Sequence, residues 1–163
     1  MRMKGSKNKN GLTDKVRNIM RLRLPSLSVN EGMARSAVAA FCAQLDPSAP
    51  EIADIKCAVS EAVTNCIVHA YRDTIGDIYI EVALLEKSTV RIRIRDKGCG
   101  IENVEIARTP LYTTDAGGER SGMGFTVMES FMDAVKVRSR LGEGTVVEMK
   151  KILSTKKEQA RDE

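Results

Sequence analysis

The chain has 163 residues, 42% of them hydrophobic and 29% charged, the size and balance of one folded domain. Trp is absent and aromatics are only 4%, so the core must be aliphatic. No apolar run approaches the roughly 18 residues of a membrane span, and no apolar stretch follows the N-terminal lysines as in a secretory signal. A cytoplasmic protein with no membrane contact is expected. The net charge of +4 is unevenly placed: residues 1–23 hold eight Lys/Arg against the single acid Asp14, so the remainder is acidic on balance. The basic character belongs to a leader that reads as a solvated tail, not as an arm for nucleic acid. The expected organisation is a basic leader over residues 1–20, a domain over 21–153 and a charged tail over 154–163. The cysteines Cys42, Cys57, Cys66 and Cys99 form no Cys-x-x-Cys pair, and His69 is the only histidine, which excludes zinc and iron–sulfur spacings. The first three read as small buried residues of helices.

Leu22 to Ser28 reads as extended, with Pro25 suited to an edge strand. Asn30 is placed to cap a first helix over 31–45, with Met33, Ala37, Ala40, Phe41 and Leu45 on one face. Asp46 to Pro50 is a turn, and Pro50 suits the start of a second helix running to Tyr71. On it Ile52, Ile55, Val59, Val63, Cys66 and Ala70 share a face, with Asp54, Glu61, Asn65 and His69 opposite. Strands follow over 77–85 and 89–95, joined by Glu86-Lys87-Ser88. In the second, Val90, Ile92 and Ile94 alternate with Arg91, Arg93 and Arg95, as in a half-buried antiparallel strand. A short helix over 103–108 leads to an irregular stretch over 109–121. A third helix starts at Gly122-Met123-Gly124-Phe125 and ends near Met132. Strands over 135–140 and 145–153 flank the turn Leu141-Gly142-Glu143-Gly144. The sum is an α+β, two-layer sandwich: helices on one face of a mixed, largely antiparallel sheet. Arg91, Arg93 and Arg95, with Lys136, Arg138 and Arg140, form either a solvated sheet face or a partner surface.

Three features carry chemistry. Glu61 and Asn65 lie four apart on one helix face: a carboxylate can take a proton, and an amide oxygen can ligate a hard cation such as Mg²⁺. Taken alone, they also fit a solvated face. Asp96-x-Gly98-x-Gly100 ends a strand, where glycines let backbone approach a ligand and the carboxylate can accept from an exocyclic amine such as that of adenine; a plain strand-ending turn fits as well. Gly122-x-Gly124 at a helix start offers free N–H groups and a positive dipole end to phosphate, with Arg120 and Ser121 beside it. The irregular stretch before it is long enough for a lid.

In this order, the features resemble the GHKL ATPase/kinase superfamily, which shares the Bergerat nucleotide-binding fold with gyrase, MutL and histidine kinases. Ser60-Glu61-Ala62-Val63-Thr64-Asn65, Arg95 to Ile101 and Glu119 to Phe125 are similar to the sporulation anti-sigma F factors, serine kinases of that superfamily. Asn30-Glu31-x-x-Ala34-Arg35, Ala39-Ala40-Phe41 and Phe131-Met132-Asp133 extend the match, which runs from about Val16 to Lys151. The resemblance implies ATP/ADP and Mg²⁺ as cofactors. It implies Glu61 as the catalytic carboxylate and Asn65 as the Mg²⁺ ligand. Asp96 would recognise adenine, with Gly98 and Gly100 shaping the pocket and Thr145 helping through its hydroxyl. Thr113 and Thr114 would sit in the lid, and Arg120, Ser121, Gly122, Met123, Gly124 and Phe125 would wrap the triphosphate. His69 would reach a phosphate or serve only structure. Glu31 and Arg35 would meet the partners, a sporulation sigma factor and an anti-anti-sigma substrate phosphorylated on serine; for Arg35 an ordinary exposed helix position fits too. A homodimer without direct nucleic-acid contact is implied. A general-stress anti-sigma kinase, and a sigma-binding module whose nucleotide is only structural, are the alternatives. A histidine-kinase catalytic domain fits poorly, because the lone histidine lies in the nucleotide helix. The first fifteen or so residues have no counterpart in the family pattern, and translation starting at Val16 or Met20 is expected.

Overall fold

A computed structural model of the chain describes residues 15–111 and 123–154. Its strands are β1 (Val16–Pro25), β2 (Asp77–Leu85), β3 (Thr89–Arg95), β4 (Ala134–Arg140) and β5 (Gly144–Ile152). They form one sheet in the order β1-β2-β3-β5-β4. The helices are α1 (Val29–Cys42), α2 (Ala49–Asn65), α3 (Val104–Ala107) and α4 (Gly124–Phe131). The α+β two-layer class is as expected, but every pairing among the described residues is antiparallel, so the sheet is not mixed there.

Period-two alternation builds the core. Ile80 of β2 faces Ile94 of β3, which faces Val147 of β5, and one residue along the arginines point away. Onto this apolar face α2 lays Ile55, Val59 and Val63, all fully or almost fully buried. α2 is the central helix, packed on α1 on one side and α4 on the other. That position buries Ala58 and Ala62 as well, where small side chains let neighbouring helices approach.

Four expectations need correction. β1 starts at Val16 and pairs with β2 as far as Pro25↔Asp77, six residues earlier than the alternation indicated; the register shift between Val16 and Asn18 and the adjacent apolar Ile19 and Met20 blur its period. α1 starts at Val29, and the Asn30 side chain turns back to the Pro25 carbonyl (2.9 Å) instead of capping. Its buried face is Ala34, Val38 and Cys42, and Met33 is 55% exposed. Cys57 is exposed, not buried. On the polar stripe, the Asp54 carboxylate takes the Lys151 ammonium at 3.0 Å, and that ammonium also donates to the last α4 residue, Phe131, at its carbonyl (2.7 Å).

α2 is started by Ser48. Its hydroxyl accepts from the Glu51 N–H (3.4 Å), and Glu51 in return accepts from the Ser48 N–H (2.8 Å), a reciprocal cap. Pro50 lies in the first turn, as its fixed φ allows.

Candidate functional site

The deeply packed α2 turns one polar edge toward the start of α4. Glu61 and Asn65 are half-buried there. A Cβ added to Gly124 would sit 3.2 Å from Glu61 Oε2 and 3.4 Å from Asn65 Oδ1, so only a glycine fits between α4 and these groups without pushing them. Met123 precedes α4 and provides no side-chain cap. The positive end of α4 therefore opens beside a carboxylate and an amide, an arrangement suited to an anion and its counter-cation.

Beyond Asn65 the helix widens into a π-type turn over Cys66–Ala70, closed by the Tyr71 N–H on the Cys66 carbonyl (3.2 Å). Such widened turns occur often at functional sites. The loop after β3 is sewn onto this turn. The Cys99 N–H donates to the Ala70 carbonyl (3.0 Å) and its thiol donates to the His69 carbonyl (3.1 Å). Gly98 lies so close to Ala70 that any Cβ would collide with its backbone. Gly100 has φ +74° and packs on the Arg140 carbonyl, again leaving no room for a side chain.

At the base of this loop sits Asp96, only 4% exposed. Its Oδ1 accepts from the Gly98 N–H (2.9 Å) and the Thr145 N–H (3.2 Å); its Oδ2 receives the Cys66 thiol (3.7 Å). Burial raises the Asp96 pKa above the ordinary carboxylate value, and these hydrogen bonds oppose it. Burial and the Asp96 charge together raise the Cys66 thiol, which stays protonated and donating. Thr145 shares a hydroxyl hydrogen bond with Ser139 (2.8 Å), and Ser139 also accepts from the Ile101 N–H (2.8 Å).

The structure thus brings Glu61, Asn65 and Gly124 into one cluster, and Asp96, Gly98 and Thr145 into a second, with His69 on the turn between them. Met123 and Phe125 are half-buried at the start of α4, and Phe125 packs against the core. Thr113, Thr114, Arg120, Ser121 and Gly122 lie outside the described residues. Glu31 and Arg35 pair at 3.5 Å on α1. Glu31 also accepts from the Ser60 hydroxyl, which ties α1 to α2 one residue before Glu61.

Sequence reasoning missed three contributors. Cys66 was read as core filler, yet it touches Asp96. Tyr71 accepts from the Lys97 N–H (2.7 Å) and donates to the Asp77 carbonyl (2.8 Å), clamping the loop after β3. Ser139 was invisible within a charged strand. Only Cys66 had a signal, its place on the buried side one residue past Asn65. Among the described residues there is no cluster of three His, Cys, Asp or Glu side chains able to hold a metal.

The fold and site define a histidine kinase-like ATPase domain, and that family's model matches residues 24–151. Within this class the chain belongs to the anti-sigma F factor family. It is 55% identical over 143 residues to the Anti-sigma F factor of Anoxybacillus flavithermus, covering 87% of this chain and 97% of the relative. It is also 55% identical over 136 residues to that of Caldanaerobacter subterraneus subsp. tengcongensis, covering 83% and 94%. Among solved structures, the RsbU and RsbW domains of a Mycobacterium tuberculosis protein superpose with a TM-score of 0.63 at 20% identity, covering 85% of this chain and 33% of that one. The histidine kinase domain of an Erythrobacter litoralis blue-light activated kinase superposes with a TM-score of 0.53 at 20% identity, over 82% and 65%. These two likenesses concern the fold alone.

Proposed function

We propose that the chain is an ATP-dependent serine protein kinase that is also an anti-sigma factor. With ATP bound it holds a sporulation sigma factor of the F type. It phosphorylates an anti-anti-sigma protein on serine, and the unphosphorylated form of that protein displaces the sigma factor. The observation that carries this reading is the meeting of Glu61, Asn65 and the uncapped start of α4 in a chain of the anti-sigma F factor family.

The residues present fit a nucleotide with Mg²⁺. A single amide oxygen with no cage of carboxylates is the donor set of an ion that keeps its waters and takes phosphate oxygens. When bound, Mg²⁺ would neutralise charge on the transferring phosphoryl group. Asn65 would hold the ion through Oδ1. Asp96 would accept from the adenine amine, its carboxylate fixed by Gly98 and Thr145. Gly100 and the Thr145 hydroxyl would complete that pocket. The N–H groups at Gly124 and Phe125, with Met123, would face the phosphates, as would Arg120, Ser121 and Gly122 before them; Thr113 and Thr114 would close over the nucleotide. Glu61, beside Asn65, would orient the substrate serine and take its proton as the phosphoryl group leaves for the hydroxyl, releasing ADP. His69 lies within the same turn and serves a phosphate or the turn itself. Glu31 and Arg35 offer a charged pair to the partner proteins. The protein would act in the cytoplasm as a homodimer.

The test is co-purification with candidate sigma and anti-anti-sigma partners in Mg-ATP, followed by mapping of phosphoserine. Glu61→Gln should keep nucleotide binding and lose transfer. Wild-type transfer by that variant would remove Glu61 from the mechanism. Sigma binding with no phosphoserine would leave a binding module with structural nucleotide. Selective capture of a general-stress sigma factor would move the chain to the sibling class.

A further inference from the structure

We propose that the open face of the sheet, opposite the helices, docks an acidic polypeptide segment. The strand registers place the charges there in rows. One row, Arg21–Glu81–Arg93–Glu148–Lys136, alternates in sign across all five strands. The next, Arg23–Tyr79–Arg95–Val146–Arg138, holds three cations and no acid. On the other side of the alternating row, Arg91 stands beside Lys150. Some of this charge is neutralised: Arg21 meets Glu81 at 2.8 Å, and Arg23 pairs with Asp77. Arg95 and Arg138 have no ion pair among the described residues.

The cations converge on one ring. Arg95, Lys97 and Arg23 stand 4.8, 5.4 and 5.7 Å from the Tyr79 centroid. Around it a concavity of about 280 Å³ is lined by Arg21, Arg23, Tyr79, Glu81, Arg93 and Arg95. Like-charged groups held this close on a solvated face raise the local positive potential, and it falls when an anion arrives.

The chemistry of the face selects the occupant. A second copy stacked face to face would oppose cationic rows to cationic rows, a like-charge penalty. A nucleic-acid strand wants aromatic platforms for its bases, and the Tyr79 ring is already taken by cations. Glu81 and Glu148 also interrupt the path a continuous phosphate backbone would follow. Carboxylates fit better. Guanidinium forks match them bidentately, and Arg91, Arg93 and Arg95 repeat at about 6.7 Å along β3, the spacing of alternate side chains in an extended peptide.

The test uses the full chain and a fluorescein-labelled twelve-residue peptide of alternating Glu and Ser, followed by anisotropy at low salt with a labelled oligo(dT) of equal length in parallel. Saturable peptide binding is expected, unaffected by excess Mg-ATP and weakened about tenfold or more by R93E/R95E. The milder pair R95Q/R138Q should weaken it in the same direction, and K56E, at an exposed position of α2, should leave it unchanged. Circular dichroism checks that each variant folds. Absence of saturable binding, wild-type binding by both sheet variants, displacement by Mg-ATP, or tighter binding of oligo(dT) would each overturn the proposal.

Discussion

Asp96 and Thr145 hold each other twice: the Asp96 N–H donates to the Thr145 carbonyl (3.0 Å), and the Thr145 N–H donates to Asp96 Oδ1 (3.2 Å). Gly144, just before Thr145, has φ +94° and packs against the Asp96 backbone without space for a Cβ. The end of β3 and the start of β5 therefore fix the carboxylate before any ligand arrives. Such preorganisation lowers the ordering cost of binding.

Asp96→Asn separates binding from stability. Burial raises the folded-state pKa of Asp96, so the folded protein binds the proton more tightly than the unfolded chain does. Stability is then lost as pH rises from the ordinary carboxylate pKa through the raised one. Asn carries no charge and keeps an acceptor for the two N–H groups. Without nucleotide, the variant should melt at or above wild type at neutral pH, with the difference shrinking in acid. Nucleotide affinity should fall about tenfold or more, because the proposed acceptor of the adenine amine is replaced by a donor. Titration calorimetry and melting across pH check both halves. A variant that melts lower while binding normally would show that the carboxylate serves structure.

Gly124→Ala should separate phosphoryl transfer from stability. Alanine is favoured over glycine by up to about 1 kcal/mol in a helix interior, and Gly124 is the first residue of α4, so the melting temperature should hold or rise slightly. The new methyl would press on Glu61 and Asn65 at 3.2 and 3.4 Å. Phosphoryl transfer should fall about tenfold or more, since small displacements of positioned groups carry large rate costs. Single-turnover transfer with a melting curve decides it; unchanged transfer would mean that α4 yields freely.

Much of the sheet was legible because period-two alternation reports burial directly: β2 and β3 begin and end where Asp77, Leu85, Thr89 and Arg95 indicated. Helix faces were less so. In Ala-rich α1, Ala37 and Ala40 carry little phase information, and the helix rotated from the Met33 face to the Ala34 face. The pairing of Asp54 was not legible because its partner Lys151 lies 97 residues away, and no local pattern encodes such a contact. The site motifs were readable as local strings. Their meeting followed only from the family resemblance and from no local pattern, since Gly124 approaches Glu61 through the packing of α4 on α2.

Lys151 tests that packing. Its ammonium, on a side chain 11% exposed, bridges Asp54 and the C-terminal carbonyl of α4. Lys151→Met would leave both acceptors without their donor, at a cost of about 1–3 kcal/mol. Asp54→Asn should cost less, because the amide oxygen can still accept. If α4 is positioned through this contact, the Lys151 variant should also lose nucleotide affinity while its Glu61 and Asn65 remain intact. Denaturant titration gives the stability change; equal losses for both variants would point to general packing instead.

Glu51 offers the complementary pH signature. Burial works to raise its pKa, but hydrogen bonds from Ser154 and Ser48 outweigh it and hold the carboxylate below its ordinary value. Oε1 accepts from the Ser154 N–H (2.6 Å) and hydroxyl (3.0 Å), and Oε2 from the Ser48 N–H (2.8 Å) and hydroxyl (2.9 Å). The carboxylate thus joins the start of α2 to the chain leaving β5. Because the folded pKa is depressed, this stabilisation is present above the ordinary pKa and lost as pH falls through the depressed one. Glu51→Gln sets an amide N–H₂ against a donor and should cost about 1–3 kcal/mol at neutral pH. That gap should close in acid, where the wild-type carboxyl is protonated too, and Glu86→Gln on the exposed hairpin should show neither effect. Urea denaturation of the three proteins at neutral and acidic pH makes the comparison. A gap for Glu51→Gln that stays constant with pH would assign the loss to packing and not to the charge-assisted hydrogen bonds.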